Sequence, residues 1–428
     1  MSSTTEVSAS RGSAKVGGAS RAAGRSRRIV QLRIVGFRSV VDATLAPGRL
    51  CALVGEPQVG KSNLLAAINA LLDEFALLEP TDATTLAESP ILIDATLETG
   101  ERLTLEASDF EVSRTGEPLP VLYLPASERA ANLVAAEPDD PLAERALGLF
   151  REALDEQGRG TPVASGTLPA VSLVDGLEAC CVLGISGLVL LIEEPELYLR
   201  PQAQRYFYRL LRTFAQGGNQ VLYTTHSPNL LNVARLDELA IVRLTEQGTR
   251  ALQPEMLSPG EDFRLLTEFD AERSELFLAR AALLVEGQTE RLSLPFAFAA
   301  CGYDADRESV SIVECGGKAN ILLFARVCRA ASIPFVALHD RDRGDEVLNE
   351  AIRALTGADR TVVLTPDFEH VTRLRGGSHK PERAWRRFAR IGREELPLPL
   401  VEAVELVVQL ARGEDDRSSS SATGGGER

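Results

Sequence analysis

The sequence predicts an α/β protein made of two consecutive parallel-sheet units, the second smaller than the first. Three observations predict it. A glycine-rich turn, Gly55-Glu-Pro-Gln-Val-Gly60-Lys61-Ser62, stands between an apolar run (50–54) and an apolar-periodic one (63–72), the order strand, turn, helix. Two further apolar runs, 187–192 and 219–225, end in Glu193-Glu194 and in His226. From Ala281 onward short apolar runs alternate with helical periods, and three of those runs end in carboxylates.

At 428 residues the chain has room for two or three domains. Its 44% hydrophobic and 25% charged residues are ordinary for a soluble globular protein. No apolar run approaches the roughly eighteen residues of a membrane span, so no membrane partner is expected. A net charge of −15 argues against a protein that coats nucleic acid indiscriminately, yet leaves room for one local basic groove. Six cysteines sit mostly in apolar runs with no CxxC pair and read as buried thiols in a reducing cytoplasm.

Residues 1–28 are Ser, Ala, Gly and Arg with little that is apolar, a disordered basic tail. The runs 29–37 and 40–45 read as a hairpin forming the sheet edge that leads into strand 50–54. The turn that follows fits Walker A. Its backbone N–H groups would converge on a phosphate at the positive end of the helix, with Gly55, Gln58, Gly60 and Asn63 around the nucleotide. Lys61 would reach the β/γ-phosphates and Ser62 would hold Mg²⁺. The chain is thus expected to bind ATP. Residues 74–121 read as mixed β structure, and 128–158 as helical.

The buried strand 187–192 delivers two acids to its C-terminal edge: Glu193 would bind the Mg²⁺ shell and Glu194 would polarise the attacking water. One helix (202–214) and one strand later comes His226, where a γ-phosphate sensor belongs. Together these motifs resemble the ATP-binding-cassette ATPases, in the branch shared with SMC- and RecF-like DNA-repair proteins. In that branch two heads sandwich ATP, so the resemblance implies a homodimer. It also implies a signature segment, matched by Ser172-Leu-Val-Asp-Gly176-Leu-Glu178, with Gly176 at the nucleotide. Arg200-Pro201 stands where the branch often has His-Pro.

After an acidic stretch (254–276) read as a hinge, the second unit begins. In a parallel sheet the strand C-termini open on one crevice, which here would gather Glu286, Glu290, Asp340 and Asp342. Asp340 and Asp342 are two apart, so an extended backbone would aim both the same way. So many acids together favour bound cations, and all-oxygen ligands suit Mg²⁺ or Mn²⁺. Two such ions would activate water and stabilise the leaving oxygen of a phosphodiester.

Glu286-Gly-x-Thr-Glu290 followed by Asp340-x-Asp342 resembles the TOPRIM domain. A cassette ATPase followed directly by TOPRIM resembles the OLD (overcoming lysogenisation defect) family of ATP-dependent nucleases, over about residues 29–412. That resemblance implies two further metal-side acids, Asp367 and Glu369, and a lysine, Lys380, stabilising charge on the scissile phosphate. Gly344 stands where a serine ligand can occur.

The expected division is an ATPase domain over 29–275, a TOPRIM nuclease domain over 280–411 and a disordered tail over 412–428. Arg373, Arg375, Lys380, Arg383, Arg386, Arg387, Arg390 and Arg393 crowd together after the metal edge, as a grip on a DNA backbone would. The expected protein is a cytoplasmic, metal-dependent DNA endonuclease under ATPase control, acting in phage defence or DNA repair, with a defence partner as one possible associate. The rival expectation is an ATP-gated DNA-binding scaffold whose TOPRIM is inactive.

Overall fold

The computed structural model describes residues 27–76, 78–84, 90–108, 111–127, 132–133, 136–138, 140–158, 170–232, 235–255, 273–342, 344–374, 377 and 379–413. Most of both expected tails (1–26 and 414–428), most of the acidic stretch expected as a hinge, and Arg375 lie outside them.

Three sheets organise the chain. The first is antiparallel, in the order β2 (Val40–Leu45), β1 (Ile29–Phe37), β4 (Ile91–Leu97), β5 (Arg102–Ser108), β6 (Glu111–Thr115). The hairpin β1–β2 therefore belongs to a sheet of its own and is not the edge of the sheet holding the Walker A strand. Its alternating pattern fits an antiparallel sheet with one buried face, whereas the Walker A strand is buried throughout.

The second sheet runs β11 (Gly248–Leu252), β10 (Leu239–Thr245), β3 (Leu50–Val54), β9 (Gln220–Thr225), β8 (Val189–Ile192), β7 (Val121–Leu124), parallel except for β11. Every residue of β3, β8 and β9 is buried, as continuous apolar runs require in a sheet covered on both faces. Cys51 and Leu53 of β3 face a core shared with helix α1 (Lys61–Leu72) and the antiparallel sheet. Leu50, Ala52 and Val54 face the opposite core, built with α2 (Pro141–Gly158), α3 (Ala170–Val182) and α4 (Pro201–Gln216).

The third sheet is all parallel, in the order β13 (Val310–Glu314), β12 (Ala281–Val285), β14 (Phe335–Asp340), β15 (Thr361–Leu364). Its helices are α5 (Gln288–Ala300), α6 (Lys318–Ala330), α7 (Glu346–Thr356), the short α8 (Phe368–Thr372), α9 (Lys380–Phe388) and α10 (Leu398–Arg412). Since β13 and β14 lie on opposite sides of β12, the strand order reverses there. A crevice opens at such a switch point, beyond the strand C-termini. One face of β12 (Ala281, Leu283, Val285) packs under α5 and α10. The other (Ala282, Leu284) joins the same core as Val54 and Ile192, through Leu276 and Phe277. One continuous apolar core thus binds the two parallel sheets.

Candidate active sites

In the Walker A turn, backbone geometry dictates glycine at two places. Gly55 has φ 150°, and a Cβ on it would lie 2.2 Å from the Val242 carbonyl oxygen. Gly60 has φ 99°, and its Cβ would lie 2.2 Å from Thr249 Oγ1. Both conformations exclude ordinary side chains and let the backbone close tightly. Gln58 also takes a positive φ, 63°. Lys61 is buried, and its Nζ donates to the carbonyls of Gly55 (2.9 Å) and Glu56 (2.6 Å). Burial pushes its ammonium down to about 8, against the pull of Glu194, Glu196 and Glu56. Ser62 is exposed at the helix start. Asn63 is turned elsewhere: its Nδ2 donates to Ser39 Oγ at 2.7 Å, tying α1 to the β1–β2 turn.

At the end of β8, the Glu193 carboxylate is buried and accepts from the Tyr123 hydroxyl (2.8 Å) and the Ala126 N–H (3.0 Å). The next residue, Glu194, takes φ 41°, and its N–H donates to Thr224 Oγ1 at 3.0 Å. That turn sets Glu194 Oε1 3.8 Å from His226 Nε2. Burial and the charge of Lys61 hold the His226 imidazole below its ordinary range, against the pull of Glu194, so it is neutral at pH 7. Glu196, not singled out from sequence, accepts the His226 N–H at 2.6 Å and fixes the end of β9. The Glu-x-x-Glu spacing across Pro195 was its only sequence signal.

Gly176, expected to face the nucleotide of a second head, is packed inside its own chain. It is buried within α3, where a Cβ would come within 2.4 Å of the Phe150 ring. The residue there serves close helix packing, and nothing turns it to a nucleotide within this chain.

The second cluster stands at the switch point of the third sheet. Glu286 follows β12, and its Oε1 accepts the Asp340 N–H at 2.7 Å across the crevice. Glu290, in the first turn of α5, is buried and accepts the Gly287 N–H at 3.2 Å. Asp340 ends β14, and its Oδ1 accepts the Phe368 N–H at 2.8 Å. Burial, then the charges of Glu286 and Glu290, push its carboxyl up to about 7. Burial likewise raises Glu286 and Glu290. Lys380, the first residue of α9, pairs through Nζ with Glu369. Burial works to lower its ammonium, but that pairing and the charges of Glu290, Glu369 and Asp340 raise it.

Other expected members face different partners. Asp342 lies beyond the end of β14, where the strand alternation no longer holds, and its Oδ2 is 3.0 Å from Lys318 Nζ. Asp367 caps α8, its Oδ1 accepting the His370 N–H at 2.7 Å. Of the basic run, Arg393 is bound to the Cys301 carbonyl (3.2 Å) and to Glu405 (2.7 Å), which makes it scaffold. Arg386 pairs with Glu382 at 2.6 Å, while Arg387 and Arg390 are exposed beside it on α9 and its C-terminal turn. Gly344 has φ 96° with open space around it.

A divalent cation suits this second cluster chemically: the carboxyls of Glu286, Glu290 and Asp340 are raised by burial and by neighbouring acids, and they offer only oxygen. Among the described residues no three or more acids, histidines or cysteines stand close enough together to hold a metal ion as they are, so a cation here would have to draw its ligands in.

The Walker A turn is tied to the third sheet at the edge opposite its carboxylates. Arg280, immediately before β12, makes a two-pronged pair with Glu56 of the Walker A turn, at 2.8 and 2.6 Å. A cleft of about 630 Å³ runs from His226 and Pro228 to the β13 edge at Glu314. All six cysteines are unpaired thiols, and no described helix is long and apolar enough to cross a membrane.

Two segments of the chain match known families. Residues 277–342 match the TOPRIM domain of overcoming lysogenization defect protein-like proteins, and residues 164–232 match an AAA domain family. The OLD nuclease of Thermus scotoductus is 35% identical over 288 residues, 58% of this chain and 54% of that protein. The Old nuclease of Escherichia phage P2 is 27% identical over 193 residues, 44% of this chain and 33% of that one. The chain thus spans between a third and about half of the length of these relatives. Among solved structures, the SMC head domain from Thermotoga maritima covers 54% of the chain at 17% identity (TM-score 0.36). The C-terminal region of the Burkholderia pseudomallei OLD protein covers 31% at 15% identity (TM-score 0.27). The chain is thus similar to OLD-like proteins in a TOPRIM segment, 277–342, and to an AAA domain family in the segment before it, 164–232.

Proposed function

We propose that this chain is an ATP-binding, divalent-metal-dependent DNA endonuclease. The observation that carries the reading is the Asp340 carboxyl, raised to about 7 among Glu286, Glu290 and Glu369 with Lys380 alongside. A protein keeps such mutually repelling acids at a switch point for a cation, not for stability. Glu286, Glu290 and Asp340 would hold Mg²⁺ or Mn²⁺, with Asp342 and Glu369 beside them. The ion would supply an activated water and charge neutralisation at the phosphodiester. Lys380 is positioned to leave Glu369 for a phosphate oxygen, and Arg387 and Arg390 to hold the flanking backbone. The relatives' printed names, OLD nuclease, support the same reading.

In the first unit, Gly55, Gln58, Gly60 and Lys61 would cradle the phosphates of ATP, with Ser62 and Glu193 on its Mg²⁺. Neutral His226, held by Glu196, faces Glu194, the residue placed to orient the attacking water. The domain limits 29–275 and 280–411, a homodimer, a cytoplasmic setting and a role in phage defence or DNA repair belong to the same proposal. The pairing of both Asp342 and Glu369 with lysines favours one alternative, an ATP-gated DNA-binding scaffold with a silent second centre. Incubating supercoiled plasmid with Mn²⁺ or Mg²⁺, with and without ATP, separates the two. Nicking by the native chain and none by Asp340→Ala is expected, and equal behaviour of the two overturns the nuclease.

A further inference from the structure

Lysine is rare in this chain. Among 46 basic residues it occurs four times, as Lys15, Lys61, Lys318 and Lys380. Elsewhere positive charge is carried by arginine, whose planar fork suits surface pairing. Lys61 and Lys380 stand at the two centres described above. Lys318 is the remaining lysine among the described residues, and its position is as specific as theirs.

It opens α6 directly after Gly316 and Gly317, which take φ 75° and 126°. That turn is laced to the end of β12: the Cys315 N–H donates to the Val285 carbonyl (2.9 Å) and the Gly317 N–H to the Glu286 carbonyl (2.7 Å). The lysine side chain is 5% exposed, yet its Nζ reaches Asp342 Oδ2 at 3.0 Å and Asp345 Oδ2 at 3.8 Å, both on half-exposed acids. It faces Glu286 closely enough to stabilise that carboxylate, opposing the effect of Asp342. Burying an ammonium is expensive unless anions hold it. Here the anions lie on the mouth of the Glu286–Asp340 crevice.

We propose that Lys318 is a positioning residue of the nuclease centre, a second lysine on the flank opposite Lys380. It ties Asp342 to Asp345 and fixes Asp342 at the mouth of the crevice. Its compact charge balances that acid, so that the divalent ion is held loosely enough to turn over. This rests on the nuclease reading, and the test separates the two.

The full chain, Lys318→Met and Lys318→Arg are titrated with MnCl₂ by calorimetry, melted, and assayed for plasmid nicking at saturating Mn²⁺. Lys318→Met is expected to bind Mn²⁺ about threefold tighter, through loss of a competing charge, while its maximal nicking rate falls about tenfold. Lys318→Arg should keep Mn²⁺ affinity within about twofold and still nick about tenfold slower, because a fork does not fit a slot made for an ammonium. Melting temperature and ATP hydrolysis should hold in Lys318→Met. An unshifted Mn²⁺ isotherm overturns the proposal, as does weaker binding together with a lowered melting temperature, which marks a merely structural lysine. A native chain that binds Mn²⁺ but nicks nothing removes the nuclease reading, and the isotherms alone then decide Lys318.

Discussion

Asp340→Asn should make the metal-free protein more stable as it destroys the nuclease. The carboxyl is shifted from an ordinary 3.8 to about 7, a little over three units. At 1.36 kcal/mol per unit that amounts to ~4 kcal/mol, and partial solvation of the crevice reduces it to ~2 kcal/mol. Because the folded-state value is the higher one, the folded protein holds a proton that the unfolded chain has released. The penalty is therefore absent near pH 4, grows as pH rises through the interval up to 7, and is complete above it. Asparagine carries no charge but still offers Oδ1 to the Phe368 N–H, so the hydrogen bond at 2.8 Å survives. Removing the charge also relieves Glu286 and Glu290. Thermal melts in EDTA should show the variant ahead by about 5 °C at pH 8 and level with the native chain at pH 4. Adding Mn²⁺ at pH 8 should raise the native chain and leave the variant unmoved. No advantage at pH 8, or an equal one at pH 4, would refute the claim that these acids repel one another in the crevice.

Lys61→Ala should weaken binding of a fluorescent ATP analogue by about a hundredfold, since the buried ammonium sits inside the Walker A turn among Glu56, Glu194 and Glu196; unchanged affinity would sink the nucleotide site. Gly176→Ala should destabilise by about 1–3 kcal/mol in urea unfolding, because its Cβ meets Phe150 at 2.4 Å, which outweighs alanine's helix preference. If Gly176 touches a nucleotide only through a second copy, ATP affinity of the monomer will not change. Arg280→Ala should alter stability by less than about 1 kcal/mol, the pair with Glu56 being half exposed, while reducing any effect of ATP on nicking; an intact ATP effect would count against the bridge.

Much of the architecture could be read directly from the residues. Continuous apolar runs at 50–54, 189–192 and 281–285 are strands because both faces are covered, and glycine marks the turns that leave the first and the last of them. Periodicity does not say which sheet a strand joins, so β1 and β2 were expected beside β3 and lie in another layer. The candidate sites divide in the same way. Acids that close a strand, Glu286 and Asp340, come together because register brings Val285 opposite Leu338. Acids in the loops beyond follow whichever donor the fold supplies: Asp342 finds Lys318, 24 residues away, and Asp367 finds the N–H of His370. Glu196 and Lys318 escaped notice because their partners, the His226 N–H and the acids Asp342 and Asp345, are distant in sequence and leave no local pattern.

The Glu56–Arg280 bridge gives one short peptide two allegiances. Lys61 clasps the carbonyl of Glu56 while the carboxylate of the same residue clasps Arg280, whose own N–H is tied to Ser309 at the start of β13. A phosphate that draws the lysine away loosens one of those grips without touching the other. News of the nucleotide can therefore travel a single residue's width to the neighbouring sheet, with no long lever and no domain swing to carry it.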